Sequence, residues 1–255
     1  MITSYLQGGL GNQMFQIAAA IALAESNDDE AKFNPEWHYL PLQGNKCQHY
    51  LDNIYSNVIF DKKIKYEKLY EESNFHYEKI PYYPSVCLKG FFQSERYFSH
   101  CSEKIRDLFT PIKLVDKIES ANKNLLNQSP VALHIRRGDY LKFSDVHPTC
   151  GVAYYKKAID SFEKSRKFLI FSDDIEWCKK VFNGNRFLFA IDNKDYEDLL
   201  LFSLCPDAII ANSTFSWWGA WLNKNSQKQI IAPSRWFANS ENNTADLIPE
   251  KWTVI

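Results

Sequence analysis

Between residues 131 and 232 the chain alternates short apolar runs with amphipathic segments, and that alternation leaves few folds open. Val131–Ile135, Lys167–Phe171, Arg186–Ile191, Ala208–Ala211 and Gln229–Ala232 read as strands, bounded by polar or turn-forming residues. Gly151–Ser165 has helical spacing, with Tyr154, Ala158 and Phe162 recurring between lysines. A short helix is expected after Asp174. Asp195–Cys205 reads as a helix with Leu199, Phe202 and the Leu200/Leu204 pair inward, and Thr214–Asn223 as another. The order β-α-β-α-β-α-β-α-β predicts an α/β fold with a parallel sheet and helices on both faces. Its strands are continuous apolar runs, as doubly covered strands require. Ligands bind beyond the carboxyl ends of such strands. Three polar clusters fall there: His134–Asp139, Ser172–Asp174 and Asn212–Ser216.

The first half begins the same way. Ile2–Leu6 reads as a strand, Gly8–Asn12 as a tight turn and Gln13–Glu25 as a largely buried helix. From about residue 35 to 85 the periodicity is weak and Tyr, Asn and Lys dominate. Lys89–Phe92 reads as a strand, Val115–Asn127 as a helix and Asn127–Pro130 as a turn. These readings place one domain at residues 1–128 and a second at 129–235, with a tail at 236–255 expected to pack back on the first.

Composition narrows the partners. With 30 Lys and Arg against 31 Asp and Glu, the net charge of −1 gives no footprint for nucleic acid or an anionic membrane. The apolar stretch Met14–Ala24 falls short of the roughly 20 residues that span a bilayer. No Lys or Arg precedes Lys32, so a basic signal region is missing and a cytoplasmic chain is expected. Cys47, Cys87, Cys101, Cys150, Cys178 and Cys205 have wide, irregular spacings that suit reduced structural thiols. The histidines show no paired-ligand spacing for a metal.

Each strand exit has a chemical and a structural reading. Glycines in Gly8–Asn12 let backbone N–H groups approach a polar ligand at a helix start, or simply pack the helix on the sheet. The segment is not GxGxxG, which weakens a dinucleotide site. In Leu133–Tyr140, His134 and Arg136 share the face opposite Leu133 and Ile135. An arginine there forks onto phosphate, while Arg137 and Asp139 are expected to pair and hold the loop. The alternative is a surface ion-pair cluster. Arg137-Gly138-Asp139 also matches an integrin-binding tripeptide, a common sequence with little weight in an unexported chain. Asn212–Trp221 brings a strand into a Ser/Thr-rich helix start, where hydroxyls cap the helix and the dipole favours a diphosphate. Asn212-Ser213-Thr214 is formally a glycosylation sequon, and the tryptophans beyond it read as core. Among the acids, Asp173 and Asp174 follow a strand, while Asp195 and Asp198 open a helix. A carboxylate accepts from the paired N–H donors of guanine, but on the residues alone helix-dipole charge is the better reading of Asp195 and Asp198.

The chain closely resembles the bacterial α-1,2-fucosyltransferase family, related through HxRR to the α-1,6- and protein O-fucosyltransferases. The resemblance rests on GGLGNQMFQ (8–16), KGFFQSERYF (89–98), HIRRGDY (134–140), FSDDIEW (171–177), DYEDLLLFSLC (195–205), IANSTFSWWGAWL (210–222) and the closing Trp236–Ile255 stretch. It implies two facing Rossmann-like domains of GT-B type, the C-terminal one holding GDP-β-L-fucose. It also implies inverting transfer of fucose to the 2-hydroxyl of a galactose-containing glycan acceptor. By the matched motifs, Arg136 holds the β-phosphate, His134 helps place the nucleotide, and Arg137 supports the loop or touches phosphate. Asp198 reads guanine, Thr214 and Ser216 contact phosphate from the helix start, and Asn12 with Gly11 reaches the sugar. Asp173 and Ser213 lie in matched stretches and join this donor-binding set. Acceptor choice is expected in the weakly matched stretch from 35 to 85.

A bound metal is not expected, because no DxD motif occurs, and no cofactor is implied beyond the donor itself. Arg136 and the Thr214 helix start would instead stabilise the charge growing on the leaving diphosphate. Asp139 and Glu95 are the candidates for a base that takes the acceptor proton. Rival readings are another fucosyl linkage, a GDP-mannose enzyme, a non-catalytic glycan- or nucleotide-binding relative, and an adhesion module built on Arg137–Asp139. Peripheral membrane association is left open.

Overall fold

The computed structural model describes residues 1–37, 44–239 and 241–255. The stretch expected to carry acceptor choice therefore has residues 38–43 outside the described residues, and the closing stretch has Ser240 outside them. The chain forms two compact units, one of residues 1–114 and 242–249, the other of 115–241 and 250–255.

The first unit is built on strand β1 (Ile2–Ser4), helix α1 (Leu10–Glu25), and strands β2 (Lys68–Glu71) and β3 (Val86–Lys89). The three strands are parallel in the order β1-β3-β2, with Ser4 level with Leu88 and Leu88 with Tyr70. The alanine-rich helix α1 is apolar nearly all round and almost wholly buried, as a helix of that composition must be. Edge strand β2 is mostly exposed and carries Lys68 and Glu71, which blunts the edge.

The strand expected over Lys89–Phe92 lies instead over Val86–Lys89. The chain turns at Gly90 because the Glu72 carboxylate accepts from Phe91 N at 2.6 Å and Phe92 N at 2.9 Å, with Phe92 at a φ of 51°. Ser102–Phe109 forms α2. The helix expected over Val115–Asn127 is two, α3 (Ile112–Ala121) and α4 (Lys123–Leu126). Asn122 divides them, its side-chain amide returning to Ile118 O at 2.9 Å, a local bond that competes with the helix ladder.

The second unit runs β4 (Val131–Ile135), α5 (Val152–Asp160), β5 (Phe168–Ser172), α6 (Ile175–Val181), β6 (Phe187–Phe189), α7 (Asp195–Leu204), β7 (Asp207–Ile209), α8 (Thr214–Leu222) and β8 (Ile230–Ala232). The order is the one expected, with shorter ends. A further strand, β9 (Thr253–Val254), completes a parallel sheet ordered β6-β5-β4-β7-β8-β9. On one face Val131, Leu133, Ile135, Phe168, Ile170, Ile209 and Ile231 pack against Tyr155, Ala158 and Ile159 of α5 and Cys178 of α6. On the other, Phe171 meets Phe202 of α7 with ring centroids 5.2 Å apart. Trp217 and Trp218 are fully buried and pack edge to face at 5.2 Å, with Trp252 5.6 Å from Trp217. These rings are core, each burial contributing roughly 1.5–3 kcal/mol.

The division between units falls at residue 114 and not at 128, because most of α3 and all of α4 group with the second unit. The closing stretch is shared. Residues 242–249 join the first unit, where Asp246 Oδ2 accepts from Tyr77 N at 2.7 Å and Asp246 O from Ser94 Oγ at 2.9 Å. Residues 250–255 return to the second. All six cysteines are free. Among the described residues no helix is long and apolar enough to cross a membrane.

Candidate active site

Adjacent strands of the second sheet deliver four polar groups to one edge. Leaving β6 the chain reaches Asp198, leaving β5 it reaches Asp173 and Asp174, leaving β4 Arg136 and Arg137, and leaving β7 Ser213 and Thr214. Parallel pairing puts all these exits at the carboxyl end, since Ile135 is level with Ser172 and Leu133 with Ile209.

His134 is the last buried polar residue of β4. It alternates away from Leu133 and Ile135 toward α8, where its Nδ1 lies 2.9 Å from Ser216 Oγ. Burial, with the Arg136 charge beside it, pushes its pKa down to about 3, so the imidazole is neutral. The Ser216 hydroxyl has the carbonyls of Ser213 and Ala211 within 3.3 and 3.4 Å. His134 thereby ties the arginine strand to the start of α8.

Arg136 lies between two carboxylates, Nη2 2.8 Å from Asp139 Oδ1 and Nη1 3.2 Å from Asp173 Oδ2. Arg137 pairs with Asp174 at 3.2 Å and stacks its guanidinium 3.8 Å from the centre of the Trp177 ring. The expected Arg137–Asp139 pair is therefore replaced by Arg137–Asp174 and Arg136–Asp139. The reason is register: β5 brings Asp173 and Asp174 against the loop from the neighbouring strand. Asp173 Oδ1 also accepts from Arg137 N at 2.9 Å, and a Cβ at Gly138 would come within 2.8 Å of Asp173 Oδ2. Both oxygens of Asp173 thus hold the arginine loop, which makes it an anchor and not a free ligand group. Asp139 is likewise engaged by Arg136. These half-exposed pairs fix geometry more than stability. A guanidinium carries more donors than two carboxylates consume, so Arg136 keeps N–H groups for an anion.

The loop has a second anchor that sequence reasoning missed. Tyr140 OH donates to Asn212 O at 2.9 Å, and the Asn212 amide donates to Pro148 O and Trp236 O at 2.8 and 2.9 Å. His147 stacks on Tyr140 with centroids 4.9 Å apart. Asn212 is almost wholly buried and serves as a joint between loops, a role its sequon context hides. At α8, Ser213 occupies the N-cap but makes no side-chain cap bond, contrary to the capping expected there. The first-turn amides of α8 are therefore not satisfied by a Ser213 hydroxyl, and the helix start faces the edge that carries Arg136.

Asp198 lies in the first turn of α7. Its Oδ1 accepts from Asn193 Nδ2 at 2.8 Å, and burial, reinforced by Asp195 and Glu197, pushes its pKa up to about 6. Asp195 bonds the Tyr196 N–H at 2.9 Å and Glu197 the Lys194 N–H at 3.0 Å, so those two acids serve the helix start. Asp198 retains acceptor capacity for paired N–H donors.

In the first unit Gly8 has a φ of +76°, and a Cβ there would lie 2.4 Å from Asn12 Nδ2. Only glycine allows that turn, and it sets Asn12, next to Gly11, in the first turn of α1. Two fully buried glutamines hold it: Gln13 Nε2 donates to Gly8 O at 2.9 Å and Asn45 O at 2.8 Å, while Gln16 accepts from Gln7 N at 2.9 Å and donates to Gly90 O at 3.0 Å. Glutamines three apart in an apolar helix were the available signal. Asn12 Oδ1 accepts from Gln93 Nε2 at 3.0 Å. Glu95 is half-buried in the short helical turn Glu95–Tyr97. So the structure gathers His134, Arg136, Arg137, Asp139, Asp173, Asp198, Ser213, Thr214 and Ser216 along one sheet edge, and Gly11, Asn12 and Glu95 in the other unit.

The glycosyl transferase family 11 description matches residues 1–255. An α-1,2-colitosyltransferase of Escherichia coli is 35% identical, over 100% of this chain and 99% of that one. The O-antigen biosynthesis glycosyltransferase WbnK of the same organism is 27% identical over 98% of each. A galactoside α-(1,2)-fucosyltransferase 1 of Sus scrofa is 28% identical, over 86% of this chain and 65% of its own. Among solved structures, the fucosyltransferase NodZ from Bradyrhizobium superposes with a TM-score of 0.53 at 11% identity, covering 86% of this chain and 92% of that one. The ADP-heptose LPS heptosyltransferase II of E. coli superposes with a TM-score of 0.54 at 14% identity, covering 100% and 89%. The α/β fold is thus of the GT-B type shared by these transferases.

Proposed function

Because this chain belongs to glycosyl transferase family 11 and is a glycosyltransferase, we propose that it moves L-fucose from GDP-β-L-fucose to the 2-hydroxyl of a galactose-type acceptor, inverting the anomeric centre. The observation that carries this reading is the row of strand exits. A buried carboxylate suited to guanine (Asp198), an arginine with spare donors (Arg136) and the Ser/Thr-bearing start of α8 (Ser213–Ser216) lie along one edge in the order a nucleoside diphosphate needs. The α-1,2 linkage is supported by the names of both the colitosyl and the fucosyl relatives.

In this reading the acceptor oxygen forms its bond to the anomeric carbon as the bond to the β-phosphate oxygen breaks. Negative charge grows on the departing diphosphate, and Arg136 with the α8 start meets it. His134, neutral, positions the strand end against α8. Asn12, on the Gly11 turn, approaches the sugar. Asp139, paired with Arg136, and Glu95 are the candidate bases for the acceptor proton. The field comes from protein groups, so the transfer runs without a divalent metal.

The test is GDP release from GDP-fucose, with and without a panel of β-galactosides, in EDTA, beside Arg136→Ala. Acceptor-stimulated release that survives EDTA and collapses in the variant supports the reading, and product linkage then settles the hydroxyl. The 35% identity to a colitosyltransferase favours one second reading, transfer of colitose to the same acceptor position. Release from a colitosyl donor but not from GDP-fucose would establish it.

A further inference from the structure

Gln93 is fixed from both sides. Ahead of it, the Glu72 carboxylate holds the N–H groups of Phe91 and Phe92, and Gln16 holds Gly90 O. Behind it, Ser94 N returns to Phe92 O at 2.9 Å and the Ser94 hydroxyl bonds Asp246 O. Phe92 is fully buried, 5.5 Å edge-on from the Tyr97 ring. The side chain of Gln93 is 6% exposed, and its Nε2 donates to Asn12 Oδ1 at 3.0 Å. Its Oε1 is buried and accepts no hydrogen bond.

That orphan is costly, because a buried carbonyl oxygen without a donor forfeits the bonds it made to water. The scaffold makes no attempt to satisfy it. It spends the Glu72 carboxylate, Gln16 and a left-handed Phe92 on holding the segment in place. A rigid acceptor without a donor, bonded to the residue proposed to approach the sugar, is suited to a ligand hydroxyl. We infer that Gln93 and Asn12 form a carboxamide pair that recognises a sugar hydroxyl, with Gln93 Oε1 accepting its hydrogen. This deepens the proposed transfer and rests on it. The hydroxyl belongs either to the donor sugar or to the acceptor sugar, and the two are separable.

Gln93→Leu removes both the acceptor and the Nε2 donor to Asn12 at nearly constant volume, and Gln93→Glu restores acceptor oxygens at the same reach without that donor. Three quantities are read for each: affinity for GDP, affinity for GDP-fucose without acceptor, and acceptor KM at saturating donor. In Gln93→Leu, GDP affinity stays within about twofold, since the inferred contact is to a sugar hydroxyl and GDP carries no fucose. Either the preference for GDP-fucose over GDP falls about tenfold, which assigns the donor sugar, or acceptor KM rises about tenfold, which assigns the acceptor. Gln93→Glu recovers part of that loss. The thermal midpoint of Gln93→Leu changes little, because losing the Nε2 bond to Asn12 is offset by removing an unsatisfied oxygen.

A Gln93→Leu protein that keeps both sugar-dependent quantities within about twofold overturns the inference. So does one that loses GDP affinity and thermal stability together while Gln93→Glu restores neither. Failure of the fucosyl reading shows separately, in wild type, as no turnover of GDP-fucose. The Gln93 comparison is then run on whichever sugar nucleotide wild type does turn over.

Discussion

Donor binding should be coupled to a proton through Asp198. Its carboxyl, buried at the start of α7 beside Asp195 and Glu197, ionises near pH 6 and not at the ordinary 3.8. Only the ionised form accepts both guanine N–H groups, and those bonds draw its pKa down in the complex. The sign follows: affinity is full above about pH 7 and is lost as pH falls through 6, by one decade per further unit. Between about pH 7.5 and about pH 5 the Kd for donor should rise roughly tenfold, or about 1.4 kcal/mol. GDP is a poor probe, because its terminal phosphate titrates near pH 6 as well. GDP-fucose, esterified at that phosphate, lacks this titration. His134 stays neutral throughout the range, its pKa lying near 3. Calorimetric titration of GDP-fucose into wild type and Asp198→Asn isolates the group. Wild type loses affinity toward acid, while the variant binds weakly and with no step at pH 6. A flat Kd for wild type across the range, or the same step in Asp198→Asn, refutes the reasoning. In the free protein the raised pKa acts with the opposite sense, its contribution to stability falling as pH rises from about 4 to about 6.

Arg136→Ala should lower kcat by about 10²–10³-fold, the scale of losing one donor aimed at developing charge. It also takes the guanidinium away from Asp139 and from Asp173 Oδ2, so adding Asp173→Asn should recover part of the lost rate; both are read by steady-state GDP release. Asn193→Ala removes the hydrogen bond that lowers the Asp198 pKa. The pH midpoint for GDP-fucose binding should move upward, a shift that calorimetry across pH detects and that a purely structural residue would not produce. Gln16→Met leaves Gln7 N and Gly90 O without their buried partner and should cost about 1–3 kcal/mol in urea denaturation.

Residues 131–232 were legible because each strand there is covered on both faces and so reads as an uninterrupted apolar run. The same rule concealed β2. Its residues Lys68–Glu71 lie exposed at a sheet edge and carry no such signature. It misled at Phe91 and Phe92, whose apolar pair imitates a strand while Glu72, distant in sequence, bends the chain. At the site, His134 and Arg136 were readable from strand alternation. Their partners were not, because Asp173 and Asp174 arrive from the next strand and local spacing sees only Asp139. Asp198 looked like ordinary helix-start charge until its burial set it apart from Asp195 and Glu197. Gln93 gave no signal at all, since an unsatisfied oxygen exists only in three dimensions.

The path of the closing residues bears on how the protein is made. Strand β9 seals the β8 edge by pairing Thr253 with Ile231 and Val254 with Ala232, after the chain has lent residues 242–249 to the first unit. During synthesis that edge stays open until residues 253 and 254 leave the ribosome, a window in which unpaired strand groups invite association with other chains. A fragment cut at residue 241 would make the window permanent. To obtain the second unit alone as a well-behaved reagent, residues 250–255 would have to be rejoined to it through a linker that bypasses the lent segment.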